Sequence, residues 1–226
     1  MPTYEEARQE YERSMGPELG TLYHLLWNQC ALLHLHWDEY VELFGKDQEQ
    51  FDVMNGVAPG FFKSVQDALW EGILLHLCRF ADPAVVAHRK TLSLDALLKC
   101  PASKKVTLLP ALVEDARKKI KFAQDWRNRS IAHLDLDYAI ERSAKPLAPA
   151  TRVHVREALH AIKEALQSVD LHFTGSGLGF GGTSWNWGGS RLLGELRLMA
   201  QLRREREERM DLGKGTTDDF DWKKWH

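Results

Sequence analysis

Apolar side chains recur at helical spacing in several long stretches of the chain, separated by glycine, proline and polar clusters that typically end helices. The pattern predicts long helices over about 18–44, 59–80, 107–133 and 151–171, and a short helix over 93–99. No stretch alternates between apolar and polar residues for long enough to predict a strand. Four long helices with breakers between them predict an all-α bundle.

The composition changes after residue 172. Residues 173–190 carry no charge and seven glycines, together with Trp185 and Trp187. Ordering such a segment costs much conformational entropy, so we expect a flexible connector there, followed by a further helix from about 191 to 210. The predicted organisation is a helical bundle at 1–172, a Gly/Trp-rich connector at 173–190, and a C-terminal helix with a polar tail at 191–226.

Composition and charge exclude several classes of protein. The 226 residues are 44% hydrophobic and 27% charged, which is typical of a globular chain with its own core. The formal net charge of −2 argues against a broad electrostatic coat for nucleic acid. No apolar run approaches the roughly 20 residues of a membrane span, and the N-terminus is acidic, unlike a signal peptide. We therefore expect a protein without a membrane segment.

The three cysteines, Cys30, Cys78 and Cys100, are odd in number and form no CxxC pair. This argues against a disulfide framework or a structural zinc site and favours a reduced, cytoplasmic protein. His34 and His36 are two apart on a predicted helix and so point to different sides, which argues against a metal pair. A glycine-rich run at 177–182 lacks the strand that a dinucleotide site requires. We expect no metal and no cofactor.

The strongest candidate for chemistry is the segment Asp125-Trp-Arg-Asn-Arg-Ser-Ile-Ala-His133, where the third long helix is predicted to end. Residues 114–133 hold six Lys or Arg against three Asp or Glu, so the segment is locally positive. A histidine titrates near neutral pH and can take a proton from a ribose 2′-OH or return one to the leaving 5′-oxygen. An arginine beside it can hold the phosphate and stabilise its transition-state charge.

Helical spacing leaves two interpretations open. On one continuous α-helix, Arg127 and His133 are about 120° apart, whereas Arg129 and His133, four apart, share a face. In the first interpretation Arg129 and His133 form a solvated surface pair and Trp126 belongs to the core. The catalytic interpretation requires the helix to kink or end before His133, or a second copy of the segment to meet the first across a dimer.

Arg79 is a second candidate because it lies in the largely apolar run from Ile73 to Phe80, where an unpaired charge is costly. Its partner is Asp82, Glu71 or Asp125. In one interpretation the pair with Asp82 is buried and orients the second long helix against the third. In the other, Arg79 is a second phosphate contact beside the catalytic histidine, with Glu71 two helical turns earlier and facing the same site.

Arg127-Asn128 followed by His133 matches the R-N-x(4)-H form of the motif of HEPN domains. Over about residues 35–170 the chain further resembles the AbiU branch of these domains, which is named for abortive-infection proteins. The matching segments, in order, are Phe51-Asp-Val-Met-Asn-Gly-Val-Ala-Pro-Gly-Phe-Phe62, Gln66-Asp-Ala-Leu-Trp-Glu71, Leu74-Leu-His-Leu-Cys-Arg-Phe-Ala-Asp-Pro83, Thr91-Leu-Ser-Leu94, Asp125-Trp-Arg-Asn-Arg129 and Ile131-Ala-His133.

The resemblance implies a four-helix bundle and a metal-independent endoribonuclease whose active site forms where two motifs meet in a homodimer. It implies that His133 is the general acid and base, that Arg127 holds the scissile phosphate, and that Asn128 positions the phosphate or the histidine. Glu71, Arg79, Asp82 and Arg129 are expected to support them. The expected partners are an RNA substrate and a cognate antitoxin or defence protein. The alternative is a non-catalytic HEPN scaffold that binds RNA or protein.

Overall fold

The computed structural model describes residues 3–132, 136–140, 146–175, 188–216 and 219. Within these ranges the chain is almost entirely helical, and its strands form one short antiparallel hairpin. The predicted all-α class is therefore confirmed. No helix in the described ranges combines the length and the apolar composition that a membrane crossing requires.

Most helices lie where the hydrophobic pattern predicts them. The four predicted over 18–44, 59–80, 93–99 and 151–171 are confirmed to within one turn at each end. The elements in chain order are α1 (Tyr4–Met15), α2 (Pro17–Phe44), α3 (Gln48–Val57), α4 (Pro59–Ala81), β1 (Val85–Val86), β2 (Arg89–Lys90), α5 (Leu94–Lys99), a 3₁₀ turn (Pro101–Lys105), α6 (Leu109–Trp126), a π turn (Arg127–Ile131), α7 (Leu136–Ala139), α8 (Arg152–Thr174) and α9 (Gly189–Asp211).

The sequence prediction missed α1, α3 and the hairpin. Helix α1 begins with a capping box, in which the Thr3 hydroxyl accepts from the Glu6 backbone and the Glu6 carboxylate accepts from the Thr3 backbone. The expectation of no strand is wrong for the hairpin, which turns through Ala87 and His88, both with positive φ of 47° and 65°. Two-residue hairpins usually place glycine or asparagine there, so this turn has no ordinary sequence signal.

The chain divides into two compact units, Met1–His36 with Trp70–Gly182, and Trp37–Leu69 with Thr183–His226. In the first unit, α6 packs on α8 and buries a continuous apolar face. The fully buried side chains of this face are Val113, Ala116, Ile120 and Ala123 of α6 and Val155, Ala158, Ile162, Leu166 and Val169 of α8. This packing fixes the C-terminal end of α6, where the candidate motif begins.

In the second unit, α9 packs on α3 and its N-terminus is capped by carboxylates of α2. The backbone N–H groups of Gly189 and Ser190 donate to Glu39 at 2.6 Å and to Glu42 at 3.1 Å. These bonds satisfy donors that a helix start leaves open, and the negative charge suits the helix dipole. Residue 189 is glycine because a Cβ there would lie 2.7 Å from Leu43 Cγ. Residues 176–187 of the expected connector lie outside the described residues, and the three-part organisation stays a prediction.

A buried carboxylate ties three elements of the first unit together. Asp95, at the start of α5, is 7% exposed. Its Oδ2 accepts from the Ala84 backbone N–H at 2.7 Å and from Lys99 at 2.8 Å, and its Oδ1 accepts from Arg117 of α6 at 2.6 Å. Burial raises the pKa of Asp95, but the hydrogen bonds from Lys99, Ala84 and Arg117 outweigh it, so the pKa lies below its ordinary value.

The Asp95→Asn variant tests this junction. We expect it to lower the free energy of unfolding at pH 7 by about 1–3 kcal/mol, because it removes the charge from a buried set of hydrogen bonds. Since the pKa of Asp95 is lowered on folding, the wild-type advantage is full above the unfolded-state pKa of about 3.9 and is lost as pH falls through the folded-state pKa. Urea unfolding of wild type and Asp95→Asn at pH 7 measures the loss of stability, and the same experiment at about pH 2.5 tests whether the difference disappears.

The matched control is Asp67→Asn, which disrupts an exposed ion pair with Lys63 on α4. It is expected to change the free energy of unfolding by less than about 0.5 kcal/mol. An Asp95→Asn protein as stable as this control at pH 7 contradicts the role of Asp95.

Candidate functional site

The Arg127-Asn128 pair lies where α6 changes from an α-helix to the π turn Arg127–Ile131. The turn is closed by a hydrogen bond from the Ala132 N–H to the Arg127 carbonyl at 2.8 Å. Such segments are frequent at functional sites. Because the α-helical repeat stops at Trp126, the separation of about 120° calculated for Arg127 and His133 on one α-helix does not apply. His133 lies outside the described residues, so its assignment as general acid and base stays a prediction.

The guanidinium of Arg127 is held by two neighbours. Its Nη1 donates to Asp82 Oδ1 at 2.8 Å, and its Nε donates to Asn128 Oδ1 at 3.1 Å. The side chain is 29% exposed, and its Nη2 has no partner among the described residues. The amide nitrogen of Asn128, an exposed residue, is also without a described partner. The arrangement orients two sets of N–H donors that a phosphate oxygen can accept from.

Asp82 is placed opposite Arg127 by the end of α4. The helix ends at Ala81, two residues before Pro83, because a proline disfavours helical conformation in the residue that precedes it. The expected ion pair between Arg79 and Asp82 is wrong, since Asp82 pairs with Arg127 and Arg79 is exposed. Arg79 and Asp82 instead line one cavity of 280 Å³.

Of the four expected supporting residues, Asp82 pairs with Arg127, whereas Glu71, Arg79 and Arg129 do not. Glu71 is exposed and has no described contact with the motif. Arg129 lies 3.7 Å from the Asp125 carboxylate and donates to the Pro146 carbonyl at 3.4 Å. Arg129 therefore joins the end of α6 to the segment that leads into α8.

Asp125 and Trp126 hold the same segment through the two backbone groups of one residue, Ala148. The Ala148 N–H donates to Asp125 Oδ2 at 2.8 Å, and the Trp126 indole N–H donates to the Ala148 carbonyl at 2.8 Å. Trp126 is half-buried rather than a full member of the core. Sequence reasoning offered Asp125 only as a possible partner of Arg79, and the structure pairs it with Arg129 and Ala148 instead. The available signal for the Ala148 contact was the stretch 146–150, which contains two prolines and whose backbone groups need partners outside a helix.

The positive charge expected over 114–133 is largely neutralised. Four of its six basic residues form ion pairs, leaving Lys118 and Lys121 as exposed cations without a described acidic partner. The four pairs are Arg117–Asp95, Lys119–Glu157, Arg127–Asp82 and Arg129–Asp125. Electrostatic attraction of a phosphate to this surface therefore depends on a few groups, of which the open edge of Arg127 is the best oriented.

Two buried residues of α4 lie near the Arg127–Asp82 pair and were missed by sequence reasoning. Burial raises the pKa of Cys78 to about 11, with opposing effects of Arg127 and Asp82, so its thiol is protonated at neutral pH and is a poor nucleophile. Burial, with Arg79 and His36, lowers the pKa of His76 to about 4. His76 is therefore neutral, and its Nε2–H donates to Gln29 Oε1 at 3.0 Å.

No set of three or more His, Cys, Asp or Glu in the described part of the chain is arranged to hold a metal ion. The chemistry available there is that of oriented N–H donors from Arg127 and Asn128, with a carboxylate that fixes the arginine. Donors of this kind are able to bind and polarise an anion.

A double-mutant cycle tests the Arg127–Asp82 contact. Arg127→Ala, Asp82→Ala and the double variant are expected to show a coupling energy of about 1 kcal/mol in urea unfolding, since both side chains are more than two-thirds buried. The same cycle on the exposed Arg13–Glu10 pair of α1 is the control and is expected to give less than about 0.5 kcal/mol. Equal coupling in the two cycles contradicts the contact.

Comparison with known proteins identifies the family of the chain. The model of the HEPN_AbiU2 family, described as AbiU2, matches residues 16–188, which span α2 to the end of α8 and include Arg127 and Asn128. No curated protein and no solved structure matches the chain. The family match covers most of the chain and agrees with its all-α fold. The chain therefore belongs to the AbiU2 family of HEPN domains, the branch named for abortive infection.

Proposed function

We propose that this protein is a metal-independent endoribonuclease of phage defence or of a toxin–antitoxin pair, acting in the cytoplasm as a homodimer. The observation that carries the proposal is the state of Arg127. Its guanidinium is oriented by Asp82 and Asn128, yet its Nη2 edge has no partner in the described structure. An ion pair alone does not require the Nη2 group of Arg127 to lie beside the amide nitrogen of Asn128, with both groups free of partners among the described residues. Two adjacent sets of N–H donors are what phosphate binding requires.

In the proposed reaction, His133 takes the proton from a ribose 2′-hydroxyl and the 2′-oxygen attacks the neighbouring phosphorus. The bond from phosphorus to the 5′-oxygen breaks, and that oxygen leaves with a proton supplied by the second histidine of the dimer. The products are a 2′,3′-cyclic phosphate and a 5′-hydroxyl. Arg127 Nη2 and the Asn128 amide hold the non-bridging oxygens, whose negative charge increases in the transition state.

Asp82 is a positioning residue in this scheme. It accepts a hydrogen bond from Arg127 Nη1. This bond fixes the orientation of the guanidinium, including its Nη2 group, which the flexible side chain of arginine alone does not do. Pre-oriented donors stabilise a transition state without the cost of reorganising during the reaction. The carboxylate also neutralises the arginine when no substrate is bound.

The homodimer is supported by apolar residues that follow the motif. Leu136 and Ile140 are 72% and 45% exposed, and they lie within eight residues of Ala132. Exposed apolar side chains close to a site are typical of a surface that another protein covers. We propose that a second copy covers them, which brings two motifs into one site as the family resemblance implies. A cognate antitoxin is proposed as a further partner.

A non-catalytic scaffold is the second candidate, and one observation favours it. Arg127 donates from its Nε to Asn128 and from its Nη1 to Asp82, so part of the motif serves the protein's own structure. In this case the motif stabilises the domain or its dimer, and the RNA or protein partner binds without being changed.

The first test compares wild type with His133→Ala on total RNA in EDTA. Wild type is expected to cleave, and His133→Ala is expected to cleave about 10²–10⁴-fold more slowly, because the variant lacks the acid–base group. His160→Ala, an exposed histidine of α8, is the matched control and is expected to cleave as wild type does. Equal cleavage by wild type and His133→Ala, or none by wild type, contradicts the ribonuclease.

The second test separates enzyme from scaffold with Arg127→Ala. If the protein is an enzyme, Arg127→Ala is expected to cleave RNA at least 100-fold more slowly than wild type. Its melting temperature is expected to fall by only about 2–4 °C, which corresponds to a loss of about 1 kcal/mol in the free energy of unfolding. If the protein is a non-catalytic scaffold, Arg127→Ala is expected to lower the melting temperature strongly and to leave the rate of RNA cleavage unchanged. Residues at functional sites commonly cost stability rather than supply it, so a stable but inactive variant supports the enzyme.

A further inference from the structure

A cavity of 280 Å³ lies in the first unit beside the Arg127–Asp82 pair. Its volume is slightly below the range of about 300–1,000 Å³ that is usual for sites of drug-sized ligands. Asp82 forms part of its wall and bonds Arg127 at 2.8 Å, so the cavity and the motif arginine share one carboxylate. If a phosphate binds the Nη2 group of Arg127, the rest of the ligand therefore lies close to this cavity.

The lining combines an apolar floor with an aromatic stack. Leu26, Phe80 and Leu92 supply the apolar surface. The ring of His76 stacks on that of Phe80 at a centroid distance of 5.9 Å and an interplanar angle of 20°. A flat ring entering the cavity thus meets apolar and aromatic surface, which is how proteins hold unstacked nucleobases.

The polar side chains of the lining offer one hydrogen-bond donor and one acceptor whose roles are fixed by their other contacts. Gln29 Oε1 accepts from His76, so the Gln29 amide nitrogen remains as a donor with no partner among the described residues. The Thr91 hydroxyl donates to the Pro83 carbonyl and accepts from the Ser93 hydroxyl at 3.3 Å, which leaves its second lone pair as an acceptor. Arg79, an exposed cation, also lines the cavity. One fixed donor and one fixed acceptor suit the edge of a base, which presents both kinds of group.

We infer that this cavity receives one nucleobase of the RNA whose scissile phosphate lies on Arg127, and that Gln29 and Thr91 read its edge. The inference rests on the proposed function for the identity of the substrate. It adds a binding site in α2, α4 and the segment before α5, outside the R-N-x(4)-H motif, that sets which nucleotide flanks the cut.

Binding of the four nucleoside 3′-monophosphates, compared with inorganic phosphate, tests the inference without requiring cleavage. Calorimetry on the full chain is expected to show at least one nucleotide binding tenfold or more tightly than inorganic phosphate. Leu92→Phe, which narrows the cavity by placing a larger, rigid ring in its wall, is expected to abolish this advantage. Leu171→Phe, the same change in a separate cavity of 630 Å³ between the 3₁₀ turn and α8, is the matched control and is expected to keep it.

Gln29→Glu is a second variant that does not depend on narrowing the cavity. It keeps an oxygen for His76 to donate to and replaces the donating amide nitrogen with an acceptor. We expect about tenfold weaker binding of the preferred nucleotide, with unchanged binding of inorganic phosphate. If Leu92→Phe does not fold by circular dichroism, Gln29→Glu decides the test.

Nucleotides that bind no more tightly than inorganic phosphate, or that bind equally to wild type and both cavity variants, overturn the inference. RNA cleavage by the same proteins separates this result from failure of the proposed function. Wild type and Leu92→Phe that cut RNA at the same positions and rates overturn the cavity's role and leave the ribonuclease standing. Nucleotide binding that Leu92→Phe abolishes, in a wild type that cuts no RNA, supports the cavity and contradicts the ribonuclease.

Discussion

The bond between Arg127 and Asp82 joins residues 45 positions apart in the chain and links the end of α4 to the end of α6. The motif surface depends on it in three ways. It fixes the guanidinium, it supplies a wall of the neighbouring cavity, and it compensates a charge that would otherwise be half-buried and unpaired. The core of α6 and α8 determines where the end of α6 lies, and the ion pair determines which edge of Arg127 faces away from the protein.

Most of the fold was predictable because each long helix buries one continuous apolar face. Apolar residues that repeat with the helical period of 3.6 residues indicate such a face. The elements that escaped prediction bury little. Helix α1 buries only Tyr11 and Met15, and its capping box, Thr3 with Glu6, was a readable but overlooked signal. The turn at Ala87 and His88 lacked the glycine or asparagine that usually marks a two-residue hairpin, although both residues adopt the left-handed conformation.

The candidate site was predictable only in part, because sequence identifies residue types but not pairings. Arg127 and Asn128 became candidates through the resemblance to the HEPN motif, whereas the partner of Asp82 was assigned to the nearby Arg79 instead of the distant Arg127. Likewise the excess of basic residues before the motif was visible, but the acidic partners Asp95 and Glu157 come from other elements. Long-range ion pairs of this kind follow from helix packing and leave no local pattern.

The attachment of Ala148 to Asp125 and Trp126 has a consequence for how this family can vary. It fixes the chain just beyond the stretch that begins after Ala132, so both ends of that stretch are anchored to the end of one helix. The entropy of closing a loop rises only with the logarithm of its length, about 0.6 kcal/mol for each doubling. Insertions between Ile140 and Ala148 are therefore expected to cost the fold little stability, because they leave both anchors and the spacing of the motif unchanged.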